Sequence, residues 1–156
     1  IRMIATDSGG WNLQTDFPVE IIGHQEALDK YQPDIVIFSW MPYKSDYTAD
    51  IRACNSVREY LLIGDPNSCG DKWATWGWHE EPQESDYKSD DGVLNEKAYQ
   101  KALEEYNLKY GQPPPYKRDG FTAEELNDIS NTQICRSDDP GYFFHSRTIS
   151  FKRQVG

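Results

Sequence analysis

The sequence predicts an α/β domain with a mainly parallel sheet, on three observations. Four short apolar runs, at residues 3–6, 19–22, 35–38 and 60–63, are each bounded by Gly, Pro or Asp. Each run is apolar on both faces, which favours parallel strands buried between helices over a half-exposed antiparallel sheet. The connecting pieces HQEALDKY and DYTADIRACNSV have helical spacing, the second placing Tyr47, Ile51 and Cys54 together.

Beyond residue 64 the pattern changes. Residues 65–93 are rich in Asp, Ser, Gly, Trp and Glu and predict an irregular segment with one short helix near DKWATWGW. LNEKAYQKALEEYNLKY predicts a helix over 94–110 whose apolar face holds Leu94, Ala98, Ala102 and Tyr106, with GQPPPY to stop it. TAEE reads as a capping box, with Thr122 as N-cap and Glu125 reaching back, and predicts a helix over 123–129. DDPG is a turn, and YFFHSRTISFKR predicts a terminal strand over 142–153. A chain of 156 residues suits one domain, with 65–120 as an irregular and helical insertion.

Composition narrows the function. The chain is 37% hydrophobic and 13% aromatic, enough to fold, while a mean hydropathy of −0.81 predicts large polar loops. A net charge of −10 sets long-range repulsion against nucleic acid and anionic lipid, so neither is an expected partner. No apolar run reaches the length of a membrane span, and IRMIATDSGG lacks the parts of a signal peptide. Cys54, Cys69 and Cys135 have neither CxxC nor zinc spacing, so thiols in a reducing cytoplasm are expected. Opening on a strand without Met reads as a processed, trimmed or partial chain.

In parallel α/β sheets ligands sit beyond the carboxyl ends of the strands. The residues there are Asp7 and Ser8; His24, Gln25 and Glu26; Ser39, Trp40, Met41, Pro42 and Tyr43; and Asp65 with Pro66. VIFSWMPY raises the sharpest question, because Trp, Met and Tyr in a connection are costly to expose. The segment is expected to be buried, either lining a pocket or as a core strand followed by a proline turn.

The order IATD, GHQEAL, PDIVIFSWMPY, REYLLIGDP resembles class I S-adenosylmethionine-dependent methyltransferases from their second strand onward. The resemblance implies a Rossmann-like methyltransferase sheet, N-terminally incomplete, with an antiparallel C-terminal strand to which YFFHSRTISFKR is similar. It implies S-adenosylmethionine as cofactor. Asp7 matches the family acid that holds the ribose hydroxyls, with Ser8 beside it. GHQEA looks like a variant of the family's Gly-Asp-Ala pattern facing adenine, which leaves His24, Gln25 and Glu26 as candidates. SWMPY occupies the fourth motif. There Ser39 and Tyr43 are catalytic candidates, an oxygen to hold the nucleophile and an aromatic wall for a cationic sulfur methyl, while Trp40 and Met41 floor the cofactor pocket.

The chain departs from the family at two places. One extra residue separates Ser39 from Tyr43, with a single proline between them, and the family's first strand and glycine-rich loop are not visible. The resemblance thus implies a small-molecule or protein methyl acceptor, and an upstream segment or partner chain that completes the sheet. The alternative from another class is a catalytically inactive binding or assembly module. Trp73, Trp76 and Trp78 read as packing beneath a long loop or as a recognition surface. HEEPQESDYKSDD reads as a solvated loop and no metal site is expected; His79 and His145 have no partner that the sequence identifies. No GxSxG, HExxH or P-loop is present, so a hydrolytic enzyme has no nucleophile motif in its favour.

Overall fold

The structure is a computed structural model that describes residues 1–10, 15–133 and 146–154. Cys135, His145, DDPG and the first four residues of YFFHSRTISFKR lie outside the described residues. Among the described residues six strands form two sheets. β1 (Ala5–Asp7) and β2 (Val19–Ile21) make a two-stranded parallel sheet. β3 (Ile35–Ser39), β4 (Glu59–Gly64), β5 (Phe121–Glu125) and β6 (Arg147–Arg153) make the other, in the order β3-β4-β6-β5.

This corrects the expectation of one mainly parallel Rossmann-like methyltransferase sheet. β3 and β4 are parallel, from Ile35 opposite Glu59 to Ser39 opposite Ile63, but β6 is antiparallel to both β4 and β5. No ladder joins β1 or β2 to β3. Local sequence marks where strands lie, whereas the neighbour of each strand is set by long-range packing that local patterning does not carry.

Burial explains the arrangement of the larger sheet. Tyr60 and Leu62 of β4, Ile149 and Phe151 of β6 and Phe121 of β5 are buried on one face, with Ile51, Val57, Met41 and Trp76 packed around them. Tyr60 stacks on Phe151 at 4.5 Å and meets Phe121 edge-on at 5.3 Å. β3 is not buried on both faces as expected: Val36 and Phe38 pack against the core, whereas Ile35 and Ile37 are more than half exposed. Its second edge has no strand partner among the described residues.

The helices come between and after the strands. α1 (His24–Tyr31) follows β2, and α2 (Thr48–Ala53) follows the 40–47 loop. Glu20 of β2 accepts hydrogen bonds from Lys30 and Tyr31, which hold its carboxyl below the usual range and tie α1 to its sheet. Arg153 of β6 donates to the carbonyls of Arg52 and Cys54, so it satisfies orphan acceptors at the end of α2.

α3 (Glu96–Tyr110) starts at Asn95, whose side chain accepts from the Ala98 N–H at 3.2 Å. None of its residues is fully buried, so its apolar face covers loop rather than core. α4 (Pro115–Arg118) and α5 (Asn127–Ser130) are single turns. Near DKWATWGW there are successive turns rather than a helix; Asp71 Oδ1 accepts from the N–H groups of Trp73 and Ala74, and a 3-10 turn lies later, at Glu84–Tyr87.

The TAEE helix is also corrected. Residues 121–125 are strand, paired with β6 from Phe121 opposite Arg153 to Glu125 opposite Ile149. An N-cap contributes about 1 kcal/mol. Burying Phe121 alone contributes about 2 kcal/mol and the ladder adds to it, so tertiary pairing overrides the local signal. No helix among the described residues is long and apolar enough to cross a membrane.

Candidate functional site

β3 ends at Ser39, and the chain then turns through a left-handed residue. Trp40 has φ 57° and Lys44 φ 63°, so two side-chain-bearing residues in the region that glycine favours bracket the 40–44 turn. The Trp40 N–H donates to the Ile63 carbonyl at 2.9 Å, which continues the β3–β4 ladder one residue past the strand. The expectation that this segment is buried holds for Met41 alone, at 3% exposure. Trp40 is 41% and Tyr43 62% exposed, because the turn directs them away from the core that Met41 enters.

A second loop holds the turn. The Gly70 N–H donates to the Met41 carbonyl at 3.1 Å, and the Lys44 N–H donates to the Gly70 carbonyl at 2.9 Å. Gly70 has φ 67°, and a Cβ there would lie 2.8 Å from the Thr75 side chain, so the position needs glycine on both counts. Asp65, nearly buried at the end of β4, forms this loop by accepting from the Asn67 N–H and the Ser68 hydroxyl. It is a turn-former here. Trp76, also buried, donates its indole N–H to the Cys69 carbonyl.

Behind the turn runs a polar network that the sequence reading missed. Asp46 accepts from the Thr48 N–H and hydroxyl and from the Thr75 hydroxyl at 3.1 Å. Thr48 in turn accepts from Arg52, whose Nε donates to Asp119 at 2.7 Å. The Arg52 side chain is only 4% exposed. Burial disfavours its charge, but the Asp119 hydrogen bond, together with Tyr60 and Asp46, outweighs that cost and raises its pKa, so the guanidinium stays protonated. Partners 67 residues apart leave no local signal.

The other candidates gather at the smaller sheet. Asp7 ends β1, and its Oδ1 accepts from the Gly9 N–H at 2.7 Å in a tight turn; Ser8 is exposed. His24 opens α1, with Nε2 2.8 Å from Asp50 and its ring stacked on Tyr47 at 4.2 Å. Tyr47 also meets Phe38, so His24 ties the end of β2 to the loop after β3. Gln25 and Asp50 help line a cleft of about 300 Å³ between α1 and α2, floored by Leu28 and flanked by Asp29, Gln32 and Cys54. Glu26 is exposed in the first turn of α1.

The structure therefore brings His24 to the 40–47 loop through Tyr47 and Asp50, and keeps Ser39 to Tyr43 contiguous. Asp7 and Ser8 lie on the other sheet, with no strand ladder to β3. Among the described residues no three His, Cys, Asp or Glu side chains are grouped to hold a metal ion. No protein-family profile, curated protein or solved structure matches this chain.

Proposed function

We propose that this chain is methyltransferase-like, binding S-adenosylmethionine at the carboxyl ends of its parallel strands to methylate a small-molecule or protein nucleophile. The observation that supports this reading is the strained turn at Trp40. A bulky residue held at positive φ costs of order 1 kcal/mol or more, and such strain collects at functional sites. It lies where the resemblance puts the reacting end of the ligand. The residues also suit the nucleoside and sulfonium parts chemically. Among the described residues Asp7 Oδ2 has no hydrogen-bond partner, which suits it to ribose hydroxyls, and Tyr43 already carries the Lys44 ammonium 5.2 Å from its ring centroid.

The cofactor supplies an electrophilic methyl on a cationic sulfur. The chain's own work is positioning. Asp7 and Ser8 would hold the ribose edge, and the His24 to Glu26 segment, with Gln25 and Glu26, would border adenine. The exposed Trp40 and Tyr43 rings would wall the sulfonium, the buried Met41 would support the turn beneath them, and the Ser39 hydroxyl would orient the attacking nucleophile. The cytoplasm is the proposed location, where the Cys54 thiol stays reduced.

A second reading is a catalytically inactive binding or assembly module. The absence of a ladder between the Asp7 strand and the Ser39 strand favours it, as does the β3 edge that has no strand partner among the described residues, where an upstream segment or partner chain would pair. Calorimetric titration with S-adenosylmethionine and with S-adenosylhomocysteine separates the two. The first reading expects micromolar binding of both, lost in Asp7→Ala; no binding by a folded chain supports the second.

A further inference from the structure

The 71–79 segment and α3 meet in an aromatic face that the proposed cofactor site does not use. Trp73, His79, Tyr106 and Tyr110 lie with ring centroids 5.0 to 5.2 Å apart, and the Tyr106 hydroxyl is 2.6 Å from His79 Nδ1. None of these four is fully buried, and Trp78, adjacent to His79 in the chain, is 39% exposed. The cluster is packed internally yet presents rings to solvent.

Carboxylates dominate its surroundings. Residues 71–110 hold ten Asp and Glu against five Lys and no Arg. Three of the five lysines are engaged within the segment: Lys72 pairs with Glu80, Lys101 with Glu105, and Lys109 lies 4.9 Å above the Tyr110 ring. That last contact is an ammonium seated on a ring of this face. Glu81 is exposed two residues beyond His79 in the same segment, and its carboxylate, after burial, helps to raise the Tyr106 phenol.

We propose that this face docks a cationic peptide segment of a partner protein, with Arg or Lys heads over Trp78 and Tyr106 and the Glu81 carboxylate beside them. Bare aromatic rings would accept any apolar group. An excess of negative charge, locally and over the whole chain, selects a cation and repels nucleic acid and anionic lipid. The same loop carries Gly70 and Thr75, which fix residues 41–46, so docking brings the partner to the loop bordering the candidate site.

The test is a fluorescence-anisotropy titration of a labelled peptide alternating Arg and Gly, against a control with Gln for every Arg. Saturable binding of the first peptide alone is expected, weaker at higher salt. Trp78→Ala should lower affinity about two- to fivefold, the worth of one exposed cation–π contact, and Trp78→Phe should restore most of it. Glu81→Gln should weaken binding as well. Both positions are exposed, and far-UV circular dichroism of each variant confirms a native spectrum before titration. Absence of binding to the Arg peptide, or binding that Trp78→Ala and Glu81→Gln leave unchanged, overturns the proposal. Cofactor titration reads a separate event, so each proposal can fail without the other.

Discussion

Tyr60 is buried at the centre of the larger sheet, and among the described residues its hydroxyl has no well-formed hydrogen bond although the Arg52 guanidinium is near. Burial pushes the phenol far above its usual range, and Arg52 pulls it back only in part. The unfolded chain therefore ionises Tyr60 near pH 10 while the folded chain does not. Stability is full below pH 10 and falls as pH rises above it. Tyr60→Phe removes an unsatisfied polar group, so its stability at pH 7 should match the parent within about 1 kcal/mol or exceed it. Its melting temperature should also fall less between pH 9 and 11, read by thermal denaturation. At Trp40 backbone conformation sets the cost. Glycine should be more stable than alanine there by about 1 kcal/mol, because both lose the indole and only alanine keeps the left-handed strain. Urea unfolding of the two variants measures the difference, and equal stability would remove strain from the account of the turn.

Individual elements show where sequence was informative. The runs at 3–6, 19–22, 35–38 and 60–63 are strands within two residues of their expected bounds, and HQEALDKY is α1. Flanking Gly, Pro and Asp made these bounds legible, and β1 with β2 and β3 with β4 pair in parallel, although β2 does not pair with β3. TAEE was misread because capping signals are local, while Phe121 is fixed by Tyr60 and by the Arg153 guanidinium 4.5 Å from its ring centroid. Thr122→Val discriminates the two conformations. In a strand a β-branched isostere changes stability by less than about 0.5 kcal/mol or improves it, whereas loss of an N-cap would cost about 1 kcal/mol. The candidate site was legible as positions following strands. Its support was not: Asp46, Thr75, Arg52 and Asp119 meet through hydrogen bonds spanning 29 and 67 residues, a range over which sequence pattern has no reach.

Across the molecule, two parallel pairs stand on separate sheets, and only the pair containing β3 is built into the main core. His24, through Asp50 and Tyr47, is the polar and aromatic link between the smaller sheet and the strained turn. The proposed cofactor would span that link, touching Asp7 and Ser8 on one side and Ser39 to Tyr43 on the other. Backbone amide exchange followed by mass spectrometry, with and without S-adenosylhomocysteine, tests this most directly. Slowed exchange confined to peptides containing residues 7–9, 24–26 and 39–44 is the predicted result. Unchanged exchange at saturating ligand, or protection restricted to the 71–110 aromatic face, would contradict it.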